Sequence, residues 1–299
     1  MDPKPPTLDQ LQIFLTIVEA GSFAAAARRL GRATSVVSYA IANLEAQLGL
    51  ALFDRHSTKT PQLTDAGRAV LAEARTISLS VGDLLAKARG LISGLEAEVA
   101  LVVDVMLPTT SLVRVLDAFQ AAFPTVALRL HVEALGAVTQ LVLDRTATVG
   151  ISGPVLAGTG TLEHRQIGAV KLVPVAAPSH PLGHNRKTTM VAARKHVQLV
   201  LTDRSELTKD QEFGVIAVRT WRLADLGAKH ALLLAGVGWG SMPEAMVCDD
   251  IAAGRLVRLR LDTWDTVAYP LRAVHRSDVA LGPAANWLVD QLAQALAAN

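Results

Sequence analysis

The sequence predicts an α/β protein that begins with an all-helical head. Three observations carry this prediction. Apolar residues between Leu8 and Leu48 recur at helical spacing and are interrupted by Gly21, Gly31 and Gly49. A seven-residue apolar repeat follows, running from Val70 to Leu91. From Val99 onward, strand and helix patterns alternate, and such alternation builds a sheet covered by helices.

Composition bounds the rest. A chain of 299 residues is long enough for two or three domains. Hydrophobic residues make up 51% and charged residues 19%, so large cores are expected and wholesale disorder is not. Aromatic residues are only 4%, which leaves Ala, Leu and Val to build those cores. No apolar run approaches the roughly 18 residues of a membrane span. Met1-Asp2-Pro3-Lys4-Pro5-Pro6 lacks the basic and apolar character of a signal peptide, so a cytoplasmic location is expected. The single cysteine, Cys248, excludes an internal disulfide and a multi-cysteine zinc site. Net charge is +2, with ten Lys and Arg against eight Asp and Glu in residues 1–90 and nineteen of each thereafter. Bulk charge therefore says little about nucleic acid, and any such argument must come from pattern.

In the head, Leu8, Leu11, Phe14, Leu15 and Val18 define a first helix that Gly21 stops. Ser22 caps a second, whose stripe is Phe23, Ala26, Ala27 and Leu30, and Gly31 ends it. Thr34 or Ser35 is expected to cap a third. Val37, Ile41, Leu44 and Leu48 fall within about 60° of one another on a helical wheel, so that face packs inward. Ser35, Ser38, Tyr39 and Ala42 then point outward. Two helices joined by a tight turn, the second with small polar groups outside, form a helix-turn-helix that can approach base edges in a major groove. Arg32, Thr34 and Asn43 join the candidate DNA contacts, with Tyr39 or Arg32 able to reach phosphates or bases. The same periodicity also fits a plain three-helix bundle with a solvated polar face.

Leu52 to Thr64 reads as two extended pieces around a polar tip, a wing. Its Arg55, His56 and Lys59 suit a neighbouring phosphate or the minor groove, or are simply solvated charges.

Residues 8–91 resemble the LysR-type transcriptional regulators. The matching series is Leu11…Phe14, Gly21-Ser22-Phe23, Ala26-Ala27…Leu30, Ser38…Ile41…Leu44-Glu45…Leu48-Gly49, Leu52-Phe53…Arg55 and Leu63-Thr64…Ala66-Gly67. The resemblance implies a winged helix-turn-helix whose third helix reads DNA. The family often begins that helix with Ser-Gln-Pro, where this chain has Ala33-Thr34-Ser35. Thr34 cannot grip adenine bidentately as a glutamine can, so the docking mode transfers and the operator sequence does not.

Thr64 is expected to cap a long helix ending near Leu91. Val70, Ala74, Ile77, Val81, Leu84, Ala88 and Leu91 alternate at spacings of four and three, the pattern of a helix lying along another helix. It could also pack onto its own head. The resemblance favours pairing, since this segment corresponds to the family's dimerising linker helix, and assigns Val70, Ile77, Val81, Leu84 and Leu91 to the contact. A homodimer or homotetramer would present its heads to a partly palindromic promoter site.

Beyond the loose Gly90…Ser93-Gly94, strands are expected at Val99–Val103, Val126–Val132, Thr148–Ser152, Lys171–Ala177 and Val197–Leu201. Helices are expected at Thr110–Phe123, Ala137–Leu143, Leu223–Ala235, Glu244–Ala253 and Asn286–Ala298. The alternation predicts a parallel sheet. Phe119…Phe123-Pro124, Gly236-Val-Gly238-Trp-Gly240…Pro243 and Gly254-Arg255-Leu256-Val257 resemble the LysR-type effector domain, similar in fold to periplasmic binding proteins. The resemblance implies two α/β lobes, joined by crossovers near Glu163–Ala169 and Thr266–Ala268, with a small-molecule effector between them. The expected domains are 1–64 (winged head), 65–92 (linker helix) and 93–299 (effector domain). Within the last, lobe I covers about 98–165 and 268–299, and lobe II about 166–267. Asp104, Met106, Thr109 and Thr110, after the first strand, are the leading candidates for the effector site, since helix N-termini attract anions. Asp104 could instead select a cationic or hydroxylated ligand, or cap the helix. Glu133, Thr202, Arg204, Trp221 and Ser241 complete the set.

Other motifs are set aside. Gly236-x-Gly238-x-Gly240 follows a helix and has the wrong spacing for a dinucleotide loop. Pro181 keeps His180 and His184 off a shared helical face, so a surface loop is expected there and not a metal site. Asp249-Asp250 reads as a solvated helix face, and Cys248 as a small buried residue. No cofactor and no catalytic set is marked by a local motif. The expected function is a sequence-specific DNA-binding regulator controlled by a small molecule, and no enzyme. The rival is a cytoplasmic solute-binding or enzymatic α/β protein whose helical head only oligomerises.

Overall fold

The computed structural model describes residues 5–54, 61–154, 160–184, 189–209, 211–262 and 266–298. The chain divides into two compact units, Met1–Arg89 and Gly90–Asn299.

The first unit opens with α1 (Leu8–Ala20), α2 (Phe23–Leu30) and α3 (Thr34–Leu48). Thr7 and Gln10 form a reciprocal capping box at the start of α1, and Gly21 closes it in the left-handed conformation with φ 72°. Ser22 caps α2 by accepting from the Ala25 N–H at 3.1 Å. The cap of α3 differs from expectation. Ala33 holds the cap position with no side-chain bond, and Thr34 and Ser35 lie inside the first turn. The Val36 and Val37 N–H groups already bond to the Ala33 carbonyl, so winding begins one residue early.

The inward face of α3 is buried as its spacing requires: Val37, Ile41 and Leu44 join Phe14, Ile17, Ala26 and Leu52 in one core. Phe53 meets Phe14 and Phe23 edge-on at ring distances of 5.5 and 5.4 Å. Phe53 and Leu63 form an antiparallel bridge at the base of the wing. Thr64 then caps α4 (Asp65–Ile92), accepting from the Gly67 N–H at 2.9 Å. Gly67 is required there, because a Cβ would sit 2.1 Å from the Leu52 carbonyl oxygen.

In the second unit the order is β1 (Glu98–Asp104), α5 (Thr109–Ala122), β2 (Ala127–Glu133), α6 (Gly136–Leu143), β3 (Val149–Ser152) and β4 (Leu162–Ala176). Then come α7 (Met190–Ala193), β5 (Gln198–Leu201), β6 (Thr220–Leu223), α8 (Leu226–Leu234) and β7 (Trp239–Pro243). The last elements are α9 (Glu244–Ala252), β8 (Val257–Arg258), β9 (Val267–Arg276) and α10 (Pro283–Ala297). Among the described residues the strands run β2-β1-β3-β9-β4-β7-β5-β6, with β8 also beside β4.

The sheet is mixed, which corrects the expectation of a parallel one. Strand β1 is parallel to β2 and β3, and β5 to β6 and β7. Strands β4 and β9 carry the chain between the two halves in opposite senses, so they pair antiparallel from Leu162–Arg276 to Leu172–Val267, with a bulge between Gln166 and Gly168. Both expected crossover stretches abut or lie on these long strands. Leu223 ends β6 instead of beginning a helix, and the glycine-rich run after α8 turns at Gly236 and enters β7 at Trp239. Gly238 and Gly240 make β7 possible, since a Cβ on either would lie 2.6 Å from a carbonyl oxygen of Val197 or Leu199.

Three further expectations are corrected. Cys248 is exposed, because α9 turns Val247 and Asp250 inward instead. Asp250 is buried, with His230 Nε2 at 2.7 Å and Arg255 Nε at 2.6 Å compensating its carboxylate. His180 is buried as well, accepting from the Leu182 N–H at 3.2 Å and meeting the His196 ring edge-on at 5.1 Å.

Candidate functional site

Burial of one face of α3 decides what the other presents. Thr34, Ser35, Ser38, Tyr39 and Ala42 are exposed, Tyr39 at 69%, and Asn43 is half-buried. Arg32, just before α3, is exposed but engaged: its guanidinium grips Asp9 of α1 with two bonds of 2.7 and 2.8 Å. That bidentate contact holds the Asp9 carboxyl below the usual range. Arg32 therefore braces α1 against the turn in this state. Arg55, His56 and Lys59 lie outside the described residues.

Along α4 the expected stripe divides. Val70 is half-buried and Ala74 fully buried against the head's own core, so neither is displayed in this state. Ile77, Leu84 and Leu91 are exposed and Val81 is half-exposed, with Leu85 and Ile92 also bare.

In the second unit, a cavity of about 350 Å³ opens where the two halves of the sheet meet. That lies within the usual range for a small-molecule site. One side is Met106, Leu135, Pro154 and the β9 residues Val267 to Pro270; the other is Gln198 to Leu201, Phe213, Lys229 and Ser241. Gln198 fixes the Phe213 wall: its amide accepts from the Ile216 and Ala217 N–H groups at 2.8 and 2.9 Å and donates to the Gly214 carbonyl at 2.7 Å.

Of the expected residues, Met106 and Ser241 line this cavity. Glu133, Thr202 and Arg204 line a neighbouring, more polar groove with Ala137, Asp203 and Asp225. Thr109 and Thr110 are exposed on the first turn of α5, away from the cavity walls. Trp221 is half exposed on β6, an edge strand of the described sheet, and reaches neither space. Asp104 is buried behind the cavity. It accepts from the Met106 N–H at 2.9 Å, the Leu135 N–H at 3.3 Å and the Tyr269 hydroxyl at 2.8 Å. Burial pushes its carboxyl up to about 6 against the pull of these donors. Its oxygens hold the cavity wall together and are not offered to a ligand.

Two residues absent from the expected set stand out. Tyr269 turns its ring to the cavity and its hydroxyl to Asp104. Lys229 is 3% exposed, and its Nζ donates to the Ser241 carbonyl at 2.7 Å. Burial draws its ammonium down to about 8. A signal for Lys229 was present in the sequence, since Leu226, Lys229 and Leu233 share one helical stripe and all three are buried.

Comparison with known proteins bears on both regions. Residues 8–68 match the family described as bacterial regulatory helix-turn-helix protein, lysR family, and residues 93–297 match the LysR substrate binding domain. The chain is 31% identical over 258 residues to the probable HTH-type transcriptional regulator YhaJ of Escherichia coli K12, covering 84% of each. It is 26% identical over 291 residues to the HTH-type transcriptional regulator AceR of Acinetobacter baumannii, covering 95% of each. In fold it is similar to CrgA, a LysR-type transcriptional regulator from Neisseria meningitidis, with TM-score 0.54, 21% identity and coverage of 96% and 98%. It is also similar to ArgP from Mycobacterium tuberculosis, with TM-score 0.53, 24% identity and 96% of each chain covered.

Proposed function

The chain belongs to the LysR family of DNA-binding transcriptional regulators, and we propose that it reads promoter DNA through the outer face of α3 under the control of a small molecule held in the cavity beside Tyr269. The observation that carries this is the division of α3 into a fully buried apolar face and an exposed face of Thr34, Ser35, Ser38 and Tyr39. Small hydroxyl side chains let the helix backbone approach base edges, while the wing residues Arg55, His56 and Lys59 and the half-buried Asn43 supply flanking contacts. Two copies pair through the exposed part of α4, with Ile77, Val81, Leu84 and Leu91 at the contact, and so present two heads to a two-fold site. On this reading residues 1–64 form the head, 65–92 the linker helix and 93–299 the effector domain.

The effector acts by binding one arrangement of the protein better than another, which shifts the population of arrangements and with it the spacing of the heads. The relatives are transcriptional regulators, and no enzymatic role is invoked. Mobility-shift titration of the purified full-length protein against the DNA flanking its own gene tests this. Binding that survives competition by unrelated DNA at physiological salt is expected. Salt-sensitive binding indifferent to sequence would overturn the regulatory reading.

A further inference from the structure

We infer that the cavity takes a small monoanion, a single carboxylate on an apolar body, and that Lys229 is the residue that recognises its charge. The inference rests on the cavity being the effector site.

The argument begins with why an ammonium is buried there at all. Among the described residues, strands β5 and β7 share one registered pair, Gln198–Trp239, which does not include Ser241. Beyond that pair, the Lys229 Nζ donates to the Ser241 carbonyl at 2.7 Å. Gly240 leaves room for this approach, since a Cβ built there would lie at a tight 3.2 Å from Lys229 Cε. An ammonium has three N–H groups, and the neutral Ser241 carbonyl occupies one of them. Among the described residues no carboxylate lies within ion-pair distance of Nζ. A buried cation with a single neutral acceptor is costly, and an arriving anion removes that cost.

The remaining walls define the rest of the ligand. Every other charge near the cavity is already answered. Glu212, at its rim, is paired with Arg222. Asp104 is saturated by its own donors. The N-terminus of α6, another place where an anion could dock, is filled by the Asp203 carboxylate. Lys229 is the one cation lining the cavity among the described residues. One cation matches one negative charge, and Met106, Leu135, Leu172, Leu199, Phe213 and Tyr269 match an apolar body.

Calorimetric titration of the full-length protein with phenylpropionate, its amide and phenylpropylamine tests this. The acid is expected to bind at least about tenfold more tightly than the amide, the worth of one charge-assisted hydrogen bond. Lys229→Met and Lys229→Gln should both abolish that preference. The glutamine keeps a donor for the Ser241 carbonyl, so it separates loss of recognition from loss of structure; its melting temperature should stay near that of the parent. A preference that persists in both variants, or an amide or amine that binds as well as the acid, overturns the inference and leaves the cavity as an effector site. Failure of all three probes to bind overturns both.

Discussion

The carboxylate of Asp203 accepts a hydrogen bond from the backbone N–H of Ala137 at 2.8 Å. Asp203 follows β5, and Ala137 lies in the first turn of α6, which packs on β3 and β1; the bond therefore joins the two halves of the sheet beside the cavity. Helix α6 has no side-chain cap of its own, and Leu135 enters it at the unusual φ of 49°. Ser205 and Thr208 donate to the Asp203 carboxylate and hold it in place. Gly136 permits the approach, since a Cβ would lie 2.6 Å from Ser205 Oγ.

Asp203 thus serves as a helix cap supplied from across the sheet. Asp203→Ala should destabilise the protein by about 1–2 kcal/mol, the ordinary worth of a cap. Urea denaturation checks this, and a midpoint equal to that of the parent would remove the role.

The two faces of α3 should respond in opposite ways to the same substitution. Ser38→Glu or Tyr39→Glu should abolish DNA binding and leave the head folded, because both positions are exposed and the added charge meets phosphate. Val37→Glu should cost about 3 kcal/mol or more by burying an unpaired carboxylate at a position with no exposure. Circular dichroism beside the mobility shift separates the two effects. A folded, DNA-binding Val37→Glu protein would show the faces to be misassigned.

Tyr269→Phe removes one of the donors that hold the Asp104 carboxylate. The folded carboxyl, at about 6, lies above its ordinary value of 3.8, so the folded protein takes up this proton more readily than the unfolded chain. Its contribution to stability is fullest below about pH 4 and declines as pH rises toward 6. Loss of the hydroxyl penalises the ionised form, so the variant should lose about 1–2 kcal/mol at pH 8 and less at pH 5. Denaturation curves at the two pH values provide the comparison.

Lys229 carries the opposite sign. Its folded ammonium titrates near 8, below the ordinary 10.5. Between these values the unfolded chain binds more protons than the folded protein, so this group adds stability as pH rises from 8 toward 10. The parent should show that gain and Lys229→Met should lack it. An identical pH dependence in both proteins would mean that the amine is solvated.

Legibility differed between the two units for a physical reason. In the head, Gly21, Gly31, Ser22 and Thr64 act on neighbours within a few positions, and the stripe of Val37, Ile41 and Leu44 is a property of one helix. Spacing points to Thr34 or Ser35 where Ala33 holds the cap, because a one-residue difference in where winding starts lies below what spacing resolves. In the sheet, Met106 and Ser241 could be reached because they follow or sit within recognisable strand and glycine patterns. Trp221 lies off the cavity because the four-residue β6, with no clear alternation, leaves it half exposed. Tyr269 carries no local signal, because its strand reads in the sequence only as a connection.

The sequence by itself determined the helical head, its inward and outward faces, the long repeat helix and the alternation that makes a layered sheet. Each follows from residues close enough in the chain to share one helix or strand. Only the tertiary structure assembled the candidate cavity. Asp104 and Tyr269 are 165 positions apart, and Asp203 and Ala137 are 66 apart. Lys229 of α8 reaches the Ser241 carbonyl of β7, 12 positions further along the chain. These partners meet through strand order and register, which long-range pairing sets and local pattern does not encode.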